Sequence, residues 1–161
     1  MIRQAIFALS LSLTTLVASS QQADIATCRN PAGKAYRHLN GLVDKRDAGW
    51  VDENISNGVL TLVLSANGSM DMLFIDARNK PISMTQDGAK IIVLRSTDKS
   101  VSLLAHYPGT TTEIYSFFLE KDGKNKYSVL TSRTGPQAIV ETSRVMVGQC
   151  DPIRFDLLPR G

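Results

Sequence analysis

The stretch VLTLVLSANGSMDMLFIDA, residues 59–77, decides the fold class. Leu60, Leu62 and Leu64 alternate with Val59, Thr61 and Val63, the two-residue period of a β-strand. Asn67-Gly68 follows, and because both residues tolerate positive φ the pair reads as a hairpin turn. Met70 to Ala77 is then the returning strand. Its Met70, Met72, Phe74 and Asp76 share one face, and Asp71 lies on the other.

Downstream, the same pattern repeats with a turn signal every ten or so residues. Pro81 opens a short run over 82–85, suited to an edge. Asp87-Gly88 leads into Lys90–Arg95, and Thr97-Asp98-Lys99 into Val101–Tyr107. Pro108-Gly109 reads as a type II turn before Glu113–Glu120, the most aromatic strand, and Asp122-Gly123 precedes Tyr127–Thr134. After Gly135-Pro136, the run from Arg144 to Val147 predicts a closing strand that brings Cys150 to the sheet. Upstream, residues 29–57 are polar and hold the only Trp. They predict one strand around Lys34 to Arg37 and then an irregular stretch.

The fold expected from this pattern is all-β, an antiparallel meander of about seven or eight strands. Several strands are apolar on both faces, which favours a barrel-like or clam-like shape over a flat sheet.

The N-terminus reads as a secretory signal peptide over residues 1–20. Arg3 precedes an uncharged run, Ala5 to Ala18, which closes on Ala18-Ser19-Ser20 before Gln21. That run is shorter than the roughly 20 residues a membrane span needs. Residues 21–161 then form a single β domain, with 151–161 as a loosely ordered tail. They hold 17 of the 18 Lys+Arg and all 15 Asp+Glu, a net charge of +2 with no block of like charges. This balance argues against a nucleic-acid partner or a basic membrane-binding tract. Cys28 and Cys150 are the only cysteines, and in an exported chain they read as one disulfide joining the ends of the domain. The place expected for the protein is the periplasm or the medium, and the state expected is a monomer.

Residues that could carry chemistry are few. There is no Gly-x-Ser-x-Gly elbow, phosphate loop, zinc spacing or EF-hand loop, and neither a cofactor nor a metal is expected. Turn chemistry accounts for Asp87, Asp98 and Asp122, whereas Asp76 shares an apolar face. Met70, Met72 and Met84 could form a thioether site for Cu(I), but methionine is also ordinary core filler. Trp50 could be a surface aromatic for ligand contact or a plug at one end of the sheet. Tyr107, Tyr115 and Phe117, with Tyr127, lie on successive strands and form either core, a rim or a ligand platform.

The set Cys28-x4-Gly33-x2-Tyr36, Gly49-Trp50, Ile55-Ser56-x-Gly58, Asp71-x2-Phe74-x-Asp76, Gln86-Asp87-Gly88-Ala89, Tyr107-Pro108-Gly109 and Val147-Gly148-x-Cys150 resembles a group of small exported bacterial proteins of unknown function. The resemblance covers nearly all of residues 21–161. It supports one domain with paired cysteines and implies no activity.

The function expected is a non-catalytic binding module for a small ligand or an envelope protein, with Trp50, Tyr107, Tyr115, Phe117 and Asp76 as contact candidates. One alternative is a structural or accessory envelope protein that acts through an exposed apolar patch. Another is a hydrolase of envelope polymers using Asp76, Glu113 or His106 as acid and base. Protein purified from the export compartment is expected to show the intact mass of residues 21–161 less two hydrogens. A mass that retains residues 1–20, or carries both thiols, contradicts the leader or the disulfide respectively.

Overall fold

The structure, a computed structural model, describes residues 22–75 and 80–159. The leader proposed for residues 1–20 and the carboxylate of Asp76 lie outside the described residues.

The chain is all-β, with ten strands among the described residues where seven or eight were expected: β1 (Ala23–Arg37), β2 (Gly49–Asn54), β3 (Val59–Leu64), β4 (Met70–Ile75), β5 (Pro81–Ser83), β6 (Lys90–Ser96), β7 (Ser100–Tyr107), β8 (Thr111–Leu119), β9 (Asn125–Arg133) and β10 (Thr142–Cys150). The pairings are antiparallel, in the order β5-β4-β3-β1-β10-β9-β8-β7-β6, with β2 branching from β1.

The stretches not expected are β2, in the segment read as irregular, and the part of β1 before the strand expected around Lys34 to Arg37. β1 runs on through Asn30, at φ 51°, and Pro31, with a register shift between Arg29 and Ala32. Such residues signal a loop when read locally. Here pairing on both edges keeps the strand extended. β10 covers one edge from Cys28 to Arg37, while β3 and then β2 share the other. At the first hairpin only Gly68 takes positive φ (81°), because Ser65–Ser69 forms a five-residue loop. The Asn67 carboxamide oxygen instead accepts the backbone N–H of Ser69 at 3.0 Å.

Connectivity requires the sheet to curl. β5 and β6 end opposite sides of the nine-strand path, yet only residues 84–89 join them. Laid flat, eight strand spacings would put the two strands about 38 Å apart. Seven Cα steps reach at most about 25 Å. The sheet therefore rolls into a half-barrel whose open seam lies between β5 and β6, and whose first and last strands pair.

Asp71 on β4 organises the seam turn. Its carboxylate accepts the hydroxyls of Ser83 and Thr85 (2.5 and 2.9 Å) and the Thr85 N–H (3.2 Å). Ile25, Leu62, Met72, Leu103 and Phe117 are among the fully buried side chains at the centre. Met70, Met72 and Met84 belong to this core.

The segment after Cys150 is not the loose tail expected from sequence. The Asp151 N–H donates to the Thr27 carbonyl (2.9 Å) and the Arg154 N–H to that of Ile25 (2.8 Å), which continues the line of β10 along β1. Leu158 is buried, and Ile153, Phe155 and Leu157 pack on the core. These apolar side chains cover surface that the end of the half-barrel would otherwise expose.

Cys28 and Cys150 face each other across β1 and β10 and are bonded, 122 positions apart in the chain. Constraining so long a loop in the unfolded chain stabilises by about 4–5 kcal/mol. A Cys28→Ser/Cys150→Ser double variant is expected to lose that much in urea unfolding, with an unchanged far-ultraviolet spectrum at low urea. A loss below about 1 kcal/mol contradicts a cross-link that constrains the whole domain.

Candidate functional site

Directly opposed residues of an antiparallel ladder share a face, so the registers of β7 to β10 list the inner surface row by row. The deepest row is Val101, Phe117, Tyr127 and Gly148. Above it come Leu103, Tyr115, Val129 and Met146, then Ala105, Glu113, Thr131 and Arg144. The last row is Tyr107, Thr111, Arg133 and Thr142. The lower two rows are buried and almost wholly apolar, the upper two polar apart from the buried Ala105. The concave face thus passes from a dry floor to a wet mouth.

The floor is filled because Gly148 has no side chain. A Cβ there would collide with the Tyr127 ring, which instead stacks on Phe117 with centroids 5.9 Å apart. Above the floor lies a cavity of about 620 Å³. Tyr115, Val129 and Met146 form its base. Leu60, Phe74 and Met84 form an apolar wall, and Glu113, Thr131, Arg133 and Arg144 a polar one. The volume falls within the 300–1,000 Å³ of typical small-molecule sites.

Internal hydrogen bonds hold Glu113 in place. One carboxylate oxygen accepts the Tyr115 hydroxyl at 2.7 Å, the other the Thr131 hydroxyl at 3.1 Å. Burial pushes the Tyr115 phenol well above its usual range, and the adjacent Glu113 charge adds to this. The Tyr107 phenol is pushed up to about 12, first by burial and then by the charges of Asp87, Glu113 and Asp71. Burial alone takes Tyr127 to about 12. All three phenols therefore stay protonated at neutral pH and can only serve as donors or as neutral acceptors.

No protein family, curated protein or solved structure matches this chain.

Of the contact candidates, Tyr107 and Tyr115 line the cavity together. Phe117 lies beneath it, fully buried in the floor. Trp50 is neither a plug nor part of the cavity. It sits 66% exposed on β2, edge-on to Tyr36 at 5.4 Å. Of the acid–base candidates, Glu113 faces the cavity. His106 points to the outer face, where its ring nitrogen Nδ1 lies 3.1 Å from the Thr112 hydroxyl. Among the described residues no three His, Cys, Asp or Glu side chains gather as a metal site would require.

Sequence reading missed Arg133 and Arg144. The available signal was alternation, since 129, 131 and 133 must share a face with Tyr127, and 144 with 146.

Alkaline titration tests the buried phenols. An unfolded phenol ionises near 10, so between pH 10 and 12 the unfolded chain has lost more protons than the folded one. Folding stability is therefore expected to fall as pH rises through that window. Phenolate absorbance of the native protein at 295 nm is expected to lag that of the urea-unfolded chain. Coincident curves contradict the buried placement of Tyr107, Tyr115 and Tyr127.

Proposed function

We propose that this protein is an exported, non-catalytic binding module that holds a small ligand in the cup of its half-barrel. The observation that carries this reading is the graded inner face, packed at the floor and open above it between one apolar and one polar wall. Export accords with the apolar leader in the sequence and with the Cys28–Cys150 disulfide, which persists in oxidising compartments. Among the described residues no helix is long and apolar enough to cross a membrane. Glu113 and His106 sit on opposite faces of the sheet, and both Glu113 oxygens already accept hydrogen bonds.

A second reading, an accessory envelope protein acting through protein contacts, draws on the outer face. Ile92, Leu104, Ile114, Leu130 and Val145 oppose one another in turn across β6 to β10 and form one apolar row. Ile92, Leu130 and Val145 are 51%, 47% and 46% exposed.

Native mass spectrometry of protein purified from the export compartment separates the two readings. The cup predicts an adduct that is lost on denaturation and absent from a Thr111→Trp variant, whose indole fills the mouth. A bare mass for the parent protein, or an adduct that Thr111→Trp retains and Leu130→Asp removes, contradicts the cup and favours the outer row.

A further inference from the structure

We propose that the ligand of the cup is an amphipathic anion, with a carboxylate or phosphate head held by Arg133 and Arg144 and an apolar body against Leu60, Phe74 and Met84. This rests on the reading of the cup as a ligand site and adds the chemistry of what enters it.

Arg133 is exposed on β9 at the mouth, and its guanidinium makes no ion pair or hydrogen bond among the described residues. Arg144, on the neighbouring β10, has a side chain only 27% exposed, and its buried Nε makes no hydrogen bond. Its one ionic neighbour is the Glu53 carboxylate at 3.5 Å, where the facing oxygen is also without a hydrogen bond. Glu53 balances the charge of Arg144 and leaves its planar fork of donors unused. Thr142, directly opposite Arg133, is 7% exposed, and its hydroxyl is buried with no partner. Buried polar atoms in folded proteins are nearly always paired. Thr142 breaks that rule beside the cavity, and the terminal guanidinium nitrogens of Arg144 and of the exposed Arg133 line the cavity without an acceptor, an arrangement suited to an acceptor supplied from outside.

Two guanidinium groups diagonal to each other on adjacent strands suit an oxyanion, which can take paired charge-assisted bonds from such donors. The carboxylates of the cup do not compete for this place. Glu113 is engaged by Tyr115 and Thr131, and Asp87 lies on the seam turn nearer Tyr107. Opposite the arginines, Leu60, Phe74 and Met84 offer no hydrogen-bonding group beyond a weak thioether, so the rest of the ligand must be apolar.

Calorimetric titration with dodecanoate, dodecyl phosphate, dodecanol and dodecyltrimethylammonium at one salt concentration tests this. At least one of the two anions is expected to bind about tenfold tighter than the alcohol. Arg133→Gln, a change at an exposed position, is expected to erase that preference. The tighter of the two anions distinguishes an acyl carboxylate from a phosphate ester as the source of the head group. Equal binding of dodecanol, tighter binding of the ammonium, or a preference that survives Arg133→Gln overturns the anion while leaving the cup in place. Failure of all four probes to bind overturns the cup itself.

Discussion

The pairing of β1 with β10 is the constraint from which the rest of the structure follows. β1 spans fifteen residues and is hydrogen-bonded along both edges, so the two halves of the sheet are hydrogen-bonded to each other only through it. On one side lie β3, β4 and β5, on the other β10 back to β6. Because the chain ends join at the middle of the sheet, its two outermost strands are consecutive in sequence. A six-residue link then forces them together. The disulfide sits within this central ladder, where a cross-link constrains the largest share of the unfolded chain.

Curling alone would give either a solid core or an empty shell. What lies between is set by where each row falls along the barrel axis. β10 enters at the mouth with Thr142 and Arg144 and leaves at the floor with Gly148 and Cys150. The chain must therefore emerge at the floor, where Phe155, Leu157 and Leu158 meet the core. Sealing at that end and polar rows at the other give a cup with one opening, which separates this domain from a sheet that only packs against itself. The outer apolar row belongs to the same registers, displaced by one residue along each strand.

Much of this was legible in the sequence, for a physical reason. From Val59 to Arg133 the strands are short, alternate apolar with other residues and are closed by Gly-bearing turns, so local chemistry and the final fold agree. β1 was not legible. Asn30, Pro31 and Gly33 favour a loop locally, and only pairing on two edges makes them a strand. The strand in the polar stretch around Trp50 likewise exists because Ala32–Arg37 offers a free edge. At the site, the sequence marked Tyr107, Tyr115 and Phe117 on successive strands but could not say that Phe117 lies one layer too deep. Glu113, Thr131 and Arg144 are distant in the chain and share a row only through the registers of three strands. Such a row cannot be read before those registers are known.

Amide hydrogen exchange, followed residue by residue in the native protein, tests this account most directly. If the β1–β10 ladder closes the domain, the amides of Lys34, Tyr36, Val145 and Val147 that are hydrogen-bonded across it should exchange only through global unfolding. Their exchange free energies should then match those of the β8–β9 ladder, while the edges of β5 and β6 at the seam exchange faster. Protection of β1 and β10 well below that of β8 and β9 would mean that the chain ends open on their own. That result would contradict the central place given to their pairing.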